Sequence, residues 1–416
     1  MCSFEKPQPY KYSTIIPTRD RFHYLSSAVD SCLSFGEDVE ILVSVNGTSD
    51  DLAIVSSFLG HRIRLKQVRL ICTNQIVSMT ESFDFAVKNS TGKYIVTLGD
   101  DDAVMFCFRS KVDEHFSHHP DSILTWYRGA YFWNDTPSPG RLAAPPWTDP
   151  SEITFTSKLN QLRSNSVSYN DLPNIYNSFI PRQHIEFVLH QNKMNFNSSH
   201  LYPFAECCAP DIFSGIQNIY YLSGSYFLTP TPITLSGISA RSNGQSAQGT
   251  SFSSLEKNLF NSENKIKSFS ELSQRYFVPS DSIQMYNASI QYFAHSLFSP
   301  VTGQPEWKPP LDWILNLLES FIQCELVSHP EYAIDYLLLL KKFGISTSHS
   351  PLLKRIYLTF LGGHSQPEPP SIVQYYSLKT FKENPHLLRD NMISLQHSGC
   401  LSAYQAVLFY QSIYSI

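Results

Sequence analysis

The sequence lacks the patterns that mark several common classes of protein. Its eight cysteines are scattered and form no CxxC pair, so the sequence indicates neither a zinc site nor a disulfide framework. No basic tract stands out, and the formal net charge is −5. We therefore expect no nucleic-acid partner.

Long apolar runs are missing as well. No stretch approaches the roughly 20 apolar residues that cross a bilayer, and residues 1–12 are polar, unlike a signal peptide. The sequence therefore predicts a cytoplasmic protein, soluble or peripheral at the inner membrane face. Hydrophobic residues make up 42% of the chain, which indicates a folded protein. Its 416 residues exceed one ordinary core, so we expect two domains.

What is present is an alternation of strand-like and helix-like segments over the first hundred residues. Short β-branched runs alternate with segments in which apolar residues recur at helical spacing. The predicted strands are 13–18, 39–45, 68–72 and 93–100, and the predicted helices are 19–35, 52–59 and 79–88. This alternation predicts an α/β fold with a parallel, three-layer sheet.

The last of these strands runs into Asp100, Asp101 and Asp102. Three adjacent carboxylates repel one another, so they require either a solvated turn or a cation. A hard divalent cation such as Mg²⁺ or Mn²⁺ takes oxygen ligands of this kind. For an isolated triplet the solvated turn is the simpler explanation. However, the segment 17–19 and Asn46 also follow strands, and ligands bind at the carboxyl ends of such strands.

Four blocks in this region together resemble family 2 glycosyltransferases of the GT-A fold. The order and spacing of all four blocks match that family, and they cover about the first 105 residues. The blocks are IIPTRDR at 15–21, VSVNGTSDD at 43–51, MTESFDFA at 79–86 and TGKYIVTLGDDD at 91–102.

Two blocks depart from the family pattern. The acid that usually precedes the asparagine of the second-strand loop is Val45 here, which leaves Asn46, or Asp50 and Asp51, to contact the base. The usual LDxDD motif reads LGDDD at 98–102, so the register of the metal ligand is ambiguous.

The resemblance implies a metal-dependent, inverting transfer of a sugar from a nucleotide-diphosphate sugar, expected to be a UDP-sugar. The expected acceptor is a hydroxyl of a glycan or lipid-linked molecule, as in polysaccharide biosynthesis. The cofactor would be Mn²⁺ or Mg²⁺ on Asp101 and Asp102. The residues that the resemblance places at the nucleotide are Pro17, Thr18, Arg19, Asn46, Met79 and Asp100, the last of them towards the ribose.

The family also uses a carboxylate that opens a later helix as its catalytic base. Residues 205–215 resemble that segment, and Asp211 is the expected base, with Glu206 as the second candidate. Read only as a local pattern, Asp211 after Pro210 is an N-cap or first-turn acid. Arg241, in a Gly/Ser-rich loop, either pairs with phosphate or lies in an exposed linker.

Two further segments near the predicted site lead to local expectations. The aromatic residues 131–133 either stack on an acceptor sugar or pack in the core. The apolar segments 226–228 and 233–235 predict a closing β-hairpin.

The domain organisation predicted by these patterns is a GT-A domain at 1–245, a linker, and an α-helical domain at 255–416. Apolar stripes at helical spacing dominate the second region, and they most simply form its own core. A homodimer interface or a peripheral membrane contact through this helical domain is the alternative.

Two other functions remain open from the residues alone. A nucleotidyltransferase would share the architecture, but it normally has a Gly-rich loop after the first strand, and residues 17–21 contain no glycine. A non-catalytic subunit that binds a nucleotide or glycan, with a helical scaffold domain, is the second alternative.

Overall fold

The structure is a computed structural model that describes residues 10–135, 140–163, 167–203, 210–239, 393–394 and 402–414. Glu206, Arg241, the predicted linker and the predicted helical domain up to residue 392 lie outside the described residues.

The first part of the chain alternates between strands and helices, as the sequence predicts. In chain order its elements are β1 (Tyr12–Thr18), α1 (Phe22–Phe35), β2 (Val39–Val45), α2 (Ser49–Leu59), β3 (Val68–Cys72), α3 (Met79–Asn89), β4 (Tyr94–Thr97), β5 (Ala103–Val104) and α4 (Arg109–His118).

The second part contains shorter strands and longer helices. Its elements are β6 (Leu124–Trp126), β7 (Gly129–Phe132), β8 (Arg141–Ala143), β9 (Ser151–Thr154), α5 (Phe155–Arg163), β10 (Ser178–Pro181), α6 (Arg182–Phe196), α7 (Pro210–Tyr221), β11 (Ser225–Thr229), β12 (Thr234–Ile238), β13 (Ile393–Ser394) and α8 (Ala403–Tyr414).

The main sheet has eight strands in the order β3-β2-β1-β4-β10-β6-β11-β9. Strands β1 to β4 run parallel, with Thr18 opposite Val45 at the ends of β1 and β2. Because parallel strands end at the same edge, the loops after β1, β2 and β4 lie side by side. The α/β core predicted from the sequence is therefore confirmed.

A second sheet of five strands, in the order β13-β8-β7-β12-β5, packs beside the first. Strand β5 follows the acid triplet and pairs with β12, so this sheet borders the candidate site. The predicted hairpin between 226–228 and 233–235 is wrong, because β11 pairs in the first sheet and β12 in the second. Pro230 and Pro232 lie between them and lack backbone N–H donors, which disfavours a tight paired turn.

Helix α3 begins directly beside the predicted nucleotide edge. Ser78 and Glu81 form a capping box, with the Ser78 backbone N–H donating to Glu81 Oε2 at 2.9 Å and the Glu81 N–H donating to Ser78 Oγ at 3.3 Å. The helix buries Phe83 and Val87 against the first sheet. Capping and burial together fix the position of Met79, the first residue of the helix.

The last helix, α8, packs on α1 and the second sheet. The Tyr404 backbone N–H donates to Ser27 Oγ at 3.1 Å, and the Tyr410 hydroxyl donates to the Pro145 carbonyl at 2.6 Å. Within the described residues, no helix is both long enough and apolar enough to cross a bilayer.

His115 on α4 is a buried histidine. Its side chain packs against Phe227, with ring centroids 4.9 Å apart, and its Nε2 lies 3.0 Å from Ser122 Oγ. Burial is the main cause that lowers the pKa of His115 to about 4, and the neighbouring His119 and His118 lower it further.

We expect the native state to lose stability as pH falls from about 6.5, the ordinary histidine pKa, towards 4, because the unfolded chain then binds a proton that buried His115 does not. The loss should approach about 1.4 kcal/mol per pH unit inside that window. His115→Gln should flatten this part of a urea-denaturation profile measured against pH. His61 is exposed, so His61→Gln should not change the slope of unfolding free energy against pH. If His115→Gln also keeps the wild-type slope, His115 is not the source of this pH dependence.

Candidate functional site

The acid triplet lies directly after β4, in a turn that the two sheets enclose. Asp100, Asp101 and Asp102 are only 0%, 3% and 9% exposed. The solvated-turn explanation is therefore wrong. Burying carboxylates is costly unless each is paired or hydrogen-bonded, so their partners determine what the turn can do.

Asp100 is held by residues at the end of β1. Thr18 Oγ1 donates to Asp100 Oδ2 at 2.7 Å, and Arg21 Nη2 donates to Asp100 Oδ1. Burial is the main cause that raises the pKa of Asp100 to about 7; Asp101 raises it further, and Arg21 acts in the opposite direction. Residues of the first predicted block therefore bind the first acid of the triplet.

Asp101 shares the same arginine. Arg21 Nη1 lies 3.1 Å from Asp101 Oδ2, which also accepts a hydrogen bond from Ser239 Oγ at 2.5 Å. The Asp101 carbonyl accepts from Trp133 Nε1 at 2.8 Å. None of the described residues donates a hydrogen bond to Asp101 Oδ1, so this oxygen can still take a ligand.

Asp102 is bound by backbone N–H groups. The N–H of Gly99 donates to Oδ2 at 2.8 Å and the N–H of Gly237 donates to Oδ1 at 2.7 Å. Burial first and the charge of Asp101 second raise the pKa of Asp102 to about 6. Position 237 must be glycine for this contact, because a Cβ there would lie 1.8 Å from the Asp101 carbonyl oxygen.

The donor set of the triplet fits a hard divalent cation. Three buried carboxylates face the guanidinium of Arg21, which pairs with Asp100 and Asp101, so additional positive charge beside them would be favourable. Across the described part of the chain, no three His, Cys, Asp or Glu side chains form a metal-binding group. When Mg²⁺ is bound together with substrate phosphates, the protein usually supplies one or two carboxylates.

The predicted nucleotide residues lie along the neighbouring strand ends. The Asn46 backbone N–H donates to the Thr18 carbonyl at 3.0 Å, which joins the loops after β2 and β1. The Asn46 side chain makes two hydrogen bonds of 2.9 Å with the backbone of Val77, just before Met79. Arg19 follows β1, with its Nε 3.3 Å from Asp20 Oδ2.

Asp50 and Asp51, the other candidates for the base contact, lie in the first turn of α2. The Asp51 carboxylate accepts from the Thr48 backbone N–H at 2.7 Å and so serves as a helix cap.

Asp211 lies in the first turn of α7, as the local pattern predicts. The Tyr169 hydroxyl donates to Asp211 Oδ2 at 2.6 Å, and Arg128 Nη2 lies 3.7 Å from the same oxygen. The Asp211 side chain is 13% exposed. A carboxylate with this limited access to solvent can still reach a substrate hydroxyl.

Tyr176 packs beside Arg128. Burial is the main cause that raises the pKa of Tyr176 well above its ordinary value, and the charges of Asp102 and Asp211 raise it further. The guanidinium of Arg128 lies 5.1 Å from the Tyr176 ring centroid and 3.7 Å from Asp211 Oδ2. Tyr176 and Asp211 therefore lie beside the same arginine.

Several residues of this site were not anticipated from the sequence. Arg21 lies inside the first predicted block but carried no assigned role, while Arg128, Tyr169, Tyr176 and Ser239 lie in segments without a motif. The proposed stacking of 131–133 on a sugar is not supported, since Tyr131 and Trp133 are buried in the core of the second sheet.

The chain is similar to known proteins in two comparisons. The model of Glycosyl transferase family 2 matches residues 13–182. Among solved structures, S. aureus TarS 1-349 in complex with UDP-GlcNAc is 15% identical, with 75% of this chain and 81% of that chain covered and a TM-score of 0.39. S. aureus TarS 1-349 alone is 12% identical, with 86% and 93% covered and a TM-score of 0.41. The comparison with curated proteins found no match.

Proposed function

We propose, from the premise that this chain is a glycosyltransferase with a family 2 domain at residues 13–182, that it is metal-dependent and inverting. The donor would be a nucleotide-diphosphate sugar, with UDP as the expected nucleotide, and the acceptor a hydroxyl of a glycan or lipid-linked molecule. The observation that carries the proposal is the buried acid triplet after β4, together with the partly exposed carboxylate of Asp211 in the first turn of α7.

Asp101 and Asp102 would hold Mn²⁺ or Mg²⁺. When bound, such an ion offsets the charge that develops on the departing nucleotide diphosphate. Asp101 is suited to this role because its Oδ1 accepts no hydrogen bond from the described residues, and Arg21 and Ser239 fix its other oxygen. Asp102 is oriented by two backbone N–H groups and lies beside it.

The nucleotide would lie along the ends of β1, β2 and β4. Asp100 would face the ribose, and Thr18 orients its carboxylate at the edge where the strands end. Pro17, Arg19 and Met79 would border the nucleotide at the same edge. Asn46 would shape this pocket, since its side chain is bound to the Val77 backbone.

Asp211 would act as the general base. It takes the proton of the acceptor hydroxyl while the acceptor oxygen forms a bond to the anomeric carbon of the donor sugar. The bond between that carbon and the phosphate oxygen breaks, and the electron pair leaves with the nucleotide diphosphate. A single displacement from the opposite face inverts the configuration at the anomeric carbon. To act as the general base, the Asp211 carboxylate must come within hydrogen-bond reach of the acceptor hydroxyl.

Thermal unfolding of the full chain with UDP, GDP, CDP or TDP, each with Mn²⁺, tests the donor. We expect UDP to raise Tm most, because a ligand at a hundredfold excess over its Kd adds about 2.7 kcal/mol to native stability. UMP should raise Tm less, since it lacks the second phosphate that would share the metal. EDTA should remove most of the UDP effect.

A second experiment mixes the protein and Mn²⁺ with an acceptor and, one at a time, a panel of sugar nucleotides. We expect one sugar nucleotide of the panel to give release of its nucleotide. If no nucleoside diphosphate changes Tm in the presence of Mn²⁺, the proposed donor site is wrong. Binding without any nucleotide release would instead favour the non-catalytic subunit.

A further inference from the structure

Tyr169 lies in a short turn that two buried side chains hold in place. It opens a 3₁₀ turn, Tyr169–Asp171, whose last residue is anchored on both sides. Lys158 Nζ lies 2.8 Å from Asp171 Oδ2, and the Tyr226 hydroxyl donates to the Asp171 carbonyl at 2.7 Å. Lys158 and Tyr226 are themselves buried. The turn that presents Tyr169 to Asp211 is therefore fixed independently of Asp211.

The two oxygens of Asp211 have different surroundings. Oδ2 accepts the Tyr169 hydroxyl at 2.6 Å and faces Arg128 Nη2 at 3.7 Å. No donor among the described residues contacts Oδ1. Since the two oxygens exchange places when the carboxylate rotates, a hydrogen bond to one of them selects which oxygen is left for the substrate.

Arg128 acts on the same pair. Its guanidinium lies 5.3 Å from the Tyr169 ring centroid and 5.1 Å from the Tyr176 ring centroid. A cation at this distance over an aromatic face is attracted to it. The positive charge therefore remains near Asp211 Oδ2, the oxygen that also accepts the Tyr169 hydroxyl.

We propose that Tyr169 is a positioning residue for Asp211, with Arg128 as its electrostatic partner. Tyr169 holds Oδ2 and thereby leaves Oδ1 to accept the proton of the acceptor hydroxyl. The proton of Tyr169 stays on its own oxygen throughout, because the hydroxyl serves only as a donor. This inference rests on the proposed role of Asp211 as the base, and it adds residues that no motif of the sequence contains.

Tyr169→Phe removes the hydroxyl and keeps the ring beside Arg128. We expect kcat to fall about tenfold, because the carboxylate can rotate away from the acceptor hydroxyl, while KM for the sugar nucleotide stays within about twofold. Arg128→Met should also lower kcat more than it changes KM for the sugar nucleotide, because it removes the charge that lies 3.7 Å from Asp211 Oδ2.

Tyr221→Phe is the matched control. Tyr221 is the last residue of α7, the helix that contains Asp211, and its hydroxyl accepts a hydrogen bond from Asn195. The substitution should change neither kcat nor KM for the sugar nucleotide. In an Asp211→Asn background, Tyr169→Phe should have little further effect on kcat, since coupled residues are not additive.

Three results would overturn the proposal. One is a loss of affinity for the sugar nucleotide in Tyr169→Phe, seen as a rise in KM as large as the fall in kcat, which would mean a purely structural role. Another is that Tyr169→Phe lowers kcat by the same factor in the Asp211→Asn background as in the wild-type protein. The third is full activity of Tyr169→Phe. Full turnover by Asp211→Asn is a separate result, which would refute the base itself.

Discussion

Asp211→Asn is expected to lower kcat by about 10²- to 10⁴-fold, the usual contribution of a positioned general base. The amide keeps the size of the side chain and still accepts the Tyr169 hydroxyl, but it cannot take a proton at neutral pH. Tm and the Tm increase caused by UDP with Mn²⁺ should stay close to wild type. The measurement is single-turnover sugar transfer under saturating donor and acceptor.

Asp121→Asn provides the matched control for that experiment. Asp121 is an exposed acid before β6, at the opposite edge of the main sheet, and it contacts Gln183. It should leave kcat unchanged. Should Asp211→Asn keep full turnover with the natural acceptor, Asp211 is not the base, and a carboxylate outside the described residues, Glu206 first, would have to be examined.

Asp101→Ala should weaken Mn²⁺ binding in the presence of UDP by at least about tenfold and lower kcat/KM by about 10²-fold or more. The reason is that a Lewis acid contributes several kcal/mol to such a reaction, and each 1.4 kcal/mol or so is a factor of ten. Arg21 keeps its contact with Asp100, so we expect the variant to fold. Mn²⁺ EPR titration with and without UDP measures the first effect directly.

Asp121→Ala is the control for the charge that is lost, because it removes a carboxylate far from the strand ends. It should leave the EPR titration as in the wild type. Unchanged Mn²⁺ affinity in Asp101→Ala would show that the ion does not use this carboxylate. An equal turnover of the wild type in EDTA and in Mn²⁺ would show that the reaction needs no metal.

The parts of the fold that could be predicted from sequence are those that local patterns specify. Strands β1 to β4 are β-branched runs with helical spacing between them, and this alternation alone implies a parallel sheet. Since parallel strands end at one edge, the grouping of Thr18, Asn46 and the acid triplet also follows from local patterns. Asp211 in the first turn of α7 follows in the same way from Pro210.

The parts that could not be predicted depend on contacts between distant segments. Whether three acids are solvated or buried is decided by Arg21, Ser239 and the backbone of Gly237, and the last two lie more than a hundred residues later. Tyr169 reaches Asp211 from 42 residues away. No periodicity indicates such pairings, and a single sequence carries no information about them.

The wrong prediction of a hairpin has a related cause. Segments 226–228 and 233–235 each have the composition of a strand, but composition does not identify the partner of a strand. The two prolines between β11 and β12 were the available signal against a tight turn. The role of the aromatic segment 131–133 was equally undetermined by composition, because a tryptophan can stack on a sugar or pack in a core. The structure decides between these, since Trp133 Nε1 donates to the Asp101 carbonyl.

The contacts of Gly237 and Ser239 with Asp102 and Asp101 imply an order of events during synthesis of the chain. The triplet leaves the ribosome about 135 residues before the strand that binds it, since the Gly237 contact spans 135 positions and the Ser239 contact 138. Until β12 is added, Asp102 lacks one of its two N–H donors. Strands β1 to β4 can thus pair early, but the turn at residues 100–102 gains these two contacts only after about 240 residues have emerged. A fragment that stops before β12 would carry the whole sequence motif and an incomplete site.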